Sequence, residues 1–233
     1  MSSRVLTVTF EAHEPVRLAE FWAHLLGREV VGEPSGSLLS GGDGQVDVRF
    51  VPSRSTRQGP NLLHLHLTSA SLADQQQTVA TALSLGARHC DVGQRPEEGH
   101  VVLADPEGNE FCVIPPANEF LAGCGVLGEV ACDGTREVGL FWSEALGWPL
   151  VWDQDQETAI QSPWGGTKVS WGGPPVASRV GRNRQRLDIT TDGDQVAEVE
   201  RLMSLGATRL DVAADGDVAL ADPDGNQFRV RAG

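Results

Sequence analysis

The 233-residue sequence has no tyrosine and a single lysine, Lys168. A tyrosine general acid is therefore excluded, and Schiff-base chemistry on a lysine would have to use Lys168. No apolar run approaches the roughly 18 residues of a membrane span. The N-terminal residues show no charged region leading into an apolar stretch. We therefore expect no contact with a membrane and no secretory signal.

Cysteine spacing and net charge limit the compartment and the partners. The four cysteines, Cys90, Cys112, Cys124 and Cys132, form no Cys-x-x-Cys pair. In a chain of this length they indicate reduced thiols in a cytoplasmic protein rather than a disulfide framework. Acidic residues outnumber basic residues 32 to 18, a net charge of −14, so we expect no nucleic-acid partner. A small organic molecule is the expected partner, and the chain is expected to be a monomer or a homodimer.

The sequence repeats itself. Three segments recur in the same order at nearly one spacing: FWAHLLGREVV (21–31) as FWSEALGWPLV (141–151), SLGA (84–87) at 204–207, and ADPEGNEFCV (104–113) as ADPDGNQFRV (221–230). Such recurrence indicates two copies of one unit of domain size. We predict a first domain at 1–116, a linker at 117–124 and a second domain at 125–233.

Each copy contains two groups of one strand, one helix and three strands. Residues 5–11 and 62–68 alternate between apolar and polar, which is typical of half-buried strands. An apolar stripe over 18–26 predicts a helix that ends at Gly27. Later helices are predicted to end at Gly86, Gly147 and Gly206. Asp-Pro-Glu-Gly and Asp-Pro-Asp-Gly predict tight turns between antiparallel strands.

These landmarks carry a family resemblance. FW…LLG after a first strand, LHL opening the second group and ADPEGNEF before the last strand resemble the vicinal oxygen chelate superfamily, which includes glyoxalase I, bleomycin-resistance proteins and extradiol dioxygenases. Glyoxalase-like domain proteins resemble the chain most, over nearly its whole length, twice. The resemblance implies an α+β fold of four βαβββ modules in two curved mixed sheets. The two modules of one domain would share a sheet, with helices on the convex face and a cleft on the concave face.

Strand periodicity separates a helix-facing side from a cleft-facing side. The polar cleft side of copy one is predicted to carry Thr7, Thr9, Glu11, His64, His66, Thr68, Glu110 and Cys112. The cleft side of copy two is predicted to carry Leu127, Glu129, Arg186, Asp188, Thr190, Gln227, Arg229 and Arg231. Each set is expected to line one concavity.

The resemblance also implies positions for metal ligands on the first, fifth and eighth strands. By motif position they fall on Thr7, His64 and Cys112 in copy one, and on Leu127, Arg186 and Arg229 in copy two. Arginine offers no lone pair to a cation and threonine is a poor ligand, so we predict a degenerate site with no metal and no cofactor. A site shifted by one pleat, with His66 and either Glu11 or Glu110, is the alternative. Cleft-wall residues bonded to each other and to water are the simpler interpretation.

The arginines of copy two have two interpretations. Arg186 and Arg229 either pair with Glu129 and Asp188, which would plug the cleft, or bind the carboxylate of a ligand. Three more arginines just upstream would support an anion site or belong to a solvated loop: Arg179, Arg182 and Arg184.

Five of the six tryptophans lie between 142 and 171. Trp142 matches Trp22 and is assigned to the helix stripe. The other four are predicted either to line a pocket for a planar ligand or to fill the interface between domains: Trp148, Trp152, Trp164 and Trp171. A nucleophilic role for Cys112 would require His64 or His66 as its base.

The sequence therefore predicts a protein that binds a small organic molecule without a metal. The predicted ligand-binding residues are His64, His66, Cys112, Glu110, Thr7, Trp152, Arg186 and Arg229, and no catalytic residue is assigned. The first alternative is a metal-dependent lyase, isomerase or dioxygenase with a His-centred site in copy one. The second is a structural or regulatory protein whose clefts are filled by its own side chains.

Overall fold

A computed structural model describes residues 4–42, 44–56, 58–176, 183–212 and 216–233. Four βαβββ modules follow one another. Module 1 contains β1 (Arg4–Ala12), α1 (Pro15–Leu26), β2 (Val31–Glu33), β3 (Gly36–Leu39) and β4 (Asp47–Pro52). Module 2 contains β5 (Leu63–Leu67), α2 (Leu72–Ser84), β6 (Arg88–His89), a 3-10 helix (Pro96–Glu98), β7 (Val101–Ala104) and β8 (Glu110–Val113).

The second half repeats this order. Module 3 contains β9 (Leu127–Cys132), α3 (Arg136–Leu146), β10 (Leu150–Gln154), β11 (Glu157–Gln161) and β12 (Lys168–Trp171). Module 4 contains β13 (Gln185–Thr191), α4 (Gln195–Ser204), β14 (Thr208–Val212), β15 (Val218–Ala221) and β16 (Gln227–Ala232). Among the residues described, no helix is both long and apolar enough to cross a membrane.

The helices end where glycine permits a reversal of the chain. Gly27 after α1 and Gly147 after α3 adopt left-handed conformations with φ of 63° and 68°. In each, the glycine N–H bonds to a carbonyl of the last helical turn, a common helix end. α2 and α4 reach Ser84 and Ser204, two residues before the predicted glycines.

The strands form two eight-stranded mixed sheets, and each sheet takes one module from each sequence copy. Sheet A has the order β14-β15-β16-β13-β1-β4-β3-β2, which joins modules 1 and 4. Sheet B has the order β10-β11-β12-β9-β5-β8-β7-β6, which joins modules 2 and 3. The antiparallel pairs β1–β13 and β5–β9 make the junctions. The expectation that the two modules of one copy share a sheet and a cleft is therefore wrong.

The repeated motifs contact each other inside the core. Trp22 Nε1 donates a hydrogen bond to Asp105 Oδ2 at 3.2 Å, and Trp142 Nε1 donates to Asp222 Oδ2 at 3.4 Å. Asp105 Oδ1 also accepts the backbone N–H groups of Glu107 and Asn109, which fixes the turn. Because Trp22 lies on a helix of module 1 and Asp105 in module 2, this contact links the two sheets within one copy.

One predicted face is reversed at the start of β9. A β-bulge shifts the register after His66 and places Leu127 opposite Leu67, where it is buried in the core. Gly128 is the extra residue of the bulge, and a Cβ there would lie 2.5 Å from Thr68 Cγ2. Leu127 therefore belongs to the helix side, and it is Val126 that is exposed.

Candidate functional site

The central strands of sheet A bury the polar face that lies opposite the helices. Thr7 is 1% exposed, Asp188 is 0% exposed, and Thr9, Glu11 and Arg186 are also buried. These side chains face one another across the β1–β13 junction. The centre of this cleft is therefore filled by the protein itself.

Ion pairs hold that filled centre together. Asp188 accepts hydrogen bonds from Thr9 Oγ1 at 2.7 Å and from Arg186 Nε at 3.0 Å. Arg186 also donates from Nη1 to Glu11 Oε1 at 3.0 Å, and the backbone N–H of Arg229 donates to Asp188 Oδ1 at 2.8 Å. Arg186 thus pairs with Asp188, as one interpretation expected. Glu129, the other carboxylate of that interpretation, lies on sheet B.

A cavity of about 290 Å³ lies above these buried ion pairs. It extends from Arg229 and Arg231 on β16, past Arg186, to Val51 and Pro52 on β4. Asp217 pairs with Arg231 at 2.7 Å and approaches Arg229 Nη1 at 3.8 Å. These arginines therefore face carboxylates of the chain, which reduces their attraction for an external anion.

Arg184, the upstream arginine that the structure describes, is not among the residues that line this cavity. Arg184 donates to the carbonyl of Glu11 and to Glu107 Oε2 at 2.6 Å. Arg179 and Arg182 lie outside the described residues.

The corresponding face of sheet B is partly open to solvent, although Glu129 at its centre is only 8% exposed. Along β5 the leucines are buried, whereas His64 and His66 between them are partly exposed. Along β8, Glu110 and Cys112 are likewise partly exposed, and their neighbours are buried. We call this face, opposite the helices, the sheet B cleft.

Strand register orders the cleft side chains in two rows. One row crosses the sheet through Lys168, Glu129, His66 and Cys112. The next row crosses it through Trp152, Ala159, Ser170, Ala131 and His64. Glu110 shares the face of Cys112, two residues earlier on β8. Both sequence copies therefore contribute to each row.

A hydrogen-bonded chain runs along the first row. His66 Nδ1 donates to Glu129 Oε2 at 2.7 Å, and Ser170 Oγ donates to the other oxygen of that carboxylate. Cys112 is the partner of His66 in the β5–β8 pair, so its thiol lies beside the imidazole on the same face of the sheet. His66 thus lies between a carboxylate on one side and a thiol on the other.

Burial and hydrogen bonding set opposite charges on this pair. Burial alone would lower the pKa of His66, but the interactions of the imidazole with the Cys112 and Glu129 side chains raise that pKa to about 10. Burial would raise the pKa of Glu129, but the hydrogen bonds from His66 and Ser170 hold it below its ordinary value. At neutral pH the cleft therefore contains an imidazolium and a carboxylate in contact.

The second histidine is in the other protonation state. Burial and the neighbouring charge of His66 lower the pKa of His64, and Glu110 and Asp133 offset part of that effect. A neutral imidazole can accept a hydrogen bond at one nitrogen and donate at the other. Glu110 Oε2 accepts a hydrogen bond from Asn61 Nδ2 at 2.8 Å, which fixes it beside this histidine.

Aromatic residues close one edge of the cleft. The Lys168 ammonium lies 4.4 Å from the Phe120 ring centroid and donates to the Phe120 carbonyl. Phe120 in turn packs edge-on against Trp152, with centroids 6.1 Å apart. Trp152 remains 39% exposed. The segment predicted as a linker thus forms part of the wall.

The other tryptophans lie elsewhere. Trp142 and Trp171 are buried in the core, Trp148 packs against its edge, and Trp164 is 86% exposed. Of the four tryptophans without a counterpart in copy one, Trp152 alone lies on the cleft face.

The eight predicted ligand-binding residues are therefore divided between two clefts. The sheet B cleft holds His64, His66, Glu110, Cys112 and Trp152, whereas Thr7, Arg186 and Arg229 lie on sheet A. A pocket bounded by Thr7, His64 and Cys112 was expected, and that expectation is wrong because β1 and β5 lie in different sheets. The trio of Leu127, Arg186 and Arg229 is likewise not assembled.

Sequence reasoning missed three contributors to the sheet B cleft. Glu129 was assigned to a different concavity, and Ser170 and Lys168 were assigned to none. The available signal was the alternation of KVSW (168–171), in which Val169 and Trp171 are buried and the two polar residues are not. Within the described part of the chain, no group of three or more His, Cys, Asp or Glu side chains is placed to hold a metal ion.

Sequence comparison agrees with this architecture. A family model described as "Glyoxalase-like domain" matches residues 7–114 and 129–231. The chain belongs to the glyoxalase-like domain family. The two matched segments correspond to the two sequence copies, so a tandem repeat of the family domain accounts for most of the chain. No match to a functionally curated protein was found.

Solved structures share the four-module fold. Glyoxalase I from Zea mays superposes with a TM-score of 0.65 at 14% identity, covering 98% of this chain and 92% of that protein. A putative dioxygenase from Bacillus subtilis superposes with a TM-score of 0.61 at 13% identity, covering 97% of this chain and 84% of that protein. The resemblance to the vicinal oxygen chelate superfamily is thereby confirmed for the fold.

Proposed function

We propose that this protein binds a small organic molecule in the sheet B cleft and needs no metal to do so. The observation that carries the proposal is the contrast between the clefts. Buried ion pairs fill the centre of sheet A, whereas His64, His66 and Cys112 on sheet B keep access to solvent. The alternative of a protein with both clefts filled by its own side chains suits sheet A and does not suit sheet B.

The donor set of the sheet B cleft fits a metal poorly. His66 Nδ1 is bonded to Glu129 Oε2, and among the described residues no three His, Cys, Asp or Glu side chains are placed to hold a metal ion. The positive charge of Lys168 in the same row also opposes a cation. No step of the proposed function therefore passes through a metal.

The lining groups indicate the kind of ligand. Trp152 offers a partly exposed aromatic face, on which a planar molecule can stack. His64 offers a hydrogen bond to an oxygen of the ligand, and Lys168 offers a positive charge near the aromatic wall. A planar organic molecule with a carbonyl, phenolic or carboxylate oxygen matches these three groups.

Metal analysis combined with fluorescence titration tests the proposal. The purified chain is dialysed against a chelator, and planar aromatic carboxylates and phenols are titrated while tryptophan emission is followed. The proposal expects saturable binding that is unchanged when zinc, nickel, manganese or iron is added back. Stoichiometric metal in the untreated protein, together with binding only after metal is restored, would instead support the metal-dependent lyase, isomerase or dioxygenase alternative.

A further inference from the structure

Cys112 lies in a different setting from the other three cysteines. All four are partly exposed, and none is in a disulfide. Burial raises the pKa of Cys124 and raises that of Cys132 well above its ordinary value. Cys112 instead lies directly opposite His66 in the parallel pair β5–β8, with its thiol beside the imidazole on the cleft face.

A third residue orients the imidazole. Glu129 Oε2 accepts a hydrogen bond from His66 Nδ1 at 2.7 Å, and Ser170 Oγ donates a hydrogen bond to the other carboxylate oxygen of Glu129. A nucleophile beside a histidine, with that histidine fixed by a carboxylate, is the arrangement that activates thiols in catalysis. The carboxylate comes from one sequence copy, and the thiol and the imidazole come from the other.

We propose that Cys112 is a nucleophile, held by His66 and Glu129, that adds covalently to an electrophilic double bond of the cleft ligand. This inference rests on the proposed binding function of the same cleft and narrows its ligands to conjugated carbonyl compounds. A thiolate is the reactive form of cysteine, and an adjacent imidazolium stabilises it.

The addition is balanced without a further reactant. The Cys112 sulfur forms a bond to the β-carbon of an α,β-unsaturated carbonyl compound. The carbon–carbon π bond breaks, and its electron pair moves to the α-carbon and the carbonyl oxygen as an enolate. The thiol proton leaves to solvent when the thiolate forms beside the His66 imidazolium, and a proton from solvent then binds the α-carbon. The product is a thioether, with no leaving group and no change in net oxidation.

The position of the thiol favours conjugate addition over acyl transfer. Cys112 lies on β8, which pairs with β5 on one side and with β7 on the other. The backbone N–H groups around Cys112 are therefore used in hydrogen bonds between strands. Acyl transfer normally needs free N–H donors at the tetrahedral oxyanion. In conjugate addition the charge develops on an oxygen remote from the sulfur, where a side-chain donor such as the His66 imidazolium can stabilise it.

Competitive labelling of the full chain tests the inference. The protein is treated with substoichiometric N-ethylmaleimide, a conjugated carbonyl electrophile, and the four cysteines are quantified by peptide mass spectrometry. Cys112 is expected to react on the order of 10-fold faster than Cys124 and Cys132. His66→Gln should remove most of that excess. His89→Gln, an exposed histidine on β6, is the matched control and should leave it unchanged.

A milder variant guards against misfolding. Glu129→Gln keeps an oxygen for Ser170 and should slow Cys112 by a smaller factor than His66→Gln does, with far-UV circular dichroism confirming the fold of each variant. Equal labelling of Cys112, Cys124 and Cys132 in the unmodified chain would overturn the inference. So would a labelling rate of Cys112 in folded His66→Gln that equals the rate in the unmodified chain.

Reversible binding separates this inference from the proposed function. Cys112→Ser should still bind a planar ligand that carries no electrophilic double bond, and should form no covalent adduct with cyclohexenone. Retained reversible binding without selective labelling refutes the nucleophile and leaves the binding function intact. Selective labelling of a chain that binds no planar ligand reversibly refutes the binding function and leaves the nucleophile intact.

Discussion

His66 Nδ1 and Glu129 Oε2 lie 2.7 Å apart, although the two residues belong to different copies of the repeat. They are directly opposite each other in the β5–β9 pair. The sheet B cleft therefore depends on how the two copies associate and on the charge state of this pair.

The first prediction concerns the pH dependence of stability. The pKa of His66 is raised from 6.5 to about 10 in the folded protein, so its contribution is complete below pH 6.5 and is lost as the pH rises towards 10. The pKa of Glu129 is lowered from 4.5, so its contribution is complete above pH 4.5 and is lost in acid. The loss in free energy of unfolding caused by Glu129→Gln should therefore be largest between pH 4.5 and pH 6.5.

Urea unfolding of the unmodified chain and of Glu129→Gln at pH 5.5, 8 and 10 measures this difference. It should amount to a few kcal/mol, as an order of magnitude, at pH 5.5 and shrink steadily towards pH 10. A difference that stays constant from pH 5.5 to 10 would show that His66 does not carry the raised pKa.

The second prediction concerns the turn aspartates. Asp105→Ala removes the acceptor of the buried N–H groups of Trp22 and Asn109 and of the partly buried N–H of Glu107. We expect a loss of roughly 2–4 kcal/mol in the free energy of unfolding, because these donors would be left unpaired. Asp91→Ala, in an exposed loop, is the control and should change stability by less than about 0.5 kcal/mol. An equally small loss for Asp105→Ala would contradict the structural role assigned to the repeated motif.

The third prediction separates the two clefts. Arg186→Ala leaves the buried carboxylates of Glu11 and Asp188 without their shared cation, and should cost about 3–5 kcal/mol of stability. Ligand affinity, measured by titration under conditions where the variant is folded, should not change. The exposed pair of Arg17 and Glu14 supplies the control, since Arg17→Ala should be nearly neutral.

His64→Ala should show the opposite behaviour. Loss of a direct hydrogen bond to the ligand is expected to weaken binding by roughly 1 kcal/mol or more. Stability should change less than in Arg186→Ala, because His64 is partly exposed and is not part of a buried ion network. If the Arg186 variant lost binding while the His64 variant kept it, the ligand would have to be placed on sheet A.

The fourth prediction uses the two exposed tryptophans. Trp152→Ala should abolish most of the change in emission that a planar ligand causes, since Trp152 lies on the cleft face beside Phe120. Trp164→Ala should preserve that change, because Trp164 is exposed and lies outside the cleft. A ligand response carried by Trp164 would exclude the sheet B cleft as the binding site.

Local structure could be predicted from the sequence, because local patterns determine it. The alternation of LHLHL predicts which residues of β5 face the helices, and Gly27 and Gly147 mark their helix ends. Strand partners could not be predicted in this way. The first strands of the modules alternate similarly. The pattern therefore predicts which side chains face the helices, but it does not predict which strands pair with each other. That is why Thr7 and His64 were expected in one cleft.

The bulge at Gly128 shows a second limit. Alternation assumes an unbroken strand, and one inserted residue moves Leu127 to the opposite side. The charge states of the two cleft histidines could not be predicted from the sequence either, because they depend on neighbouring side chains that β8 and β9 contribute.

The exchange of modules between sheets has a consequence for how the two halves can diverge. If two identical copies associated in this manner as separate chains, every substitution would appear in both clefts at once. Joined in one chain, the equivalent positions are free to differ: His66 and Cys112 in one cleft correspond to Asp188 and Arg229 in the other. Covalent linkage thus releases the protein from two-fold symmetry, so that one cleft can be rigid while its counterpart is reactive.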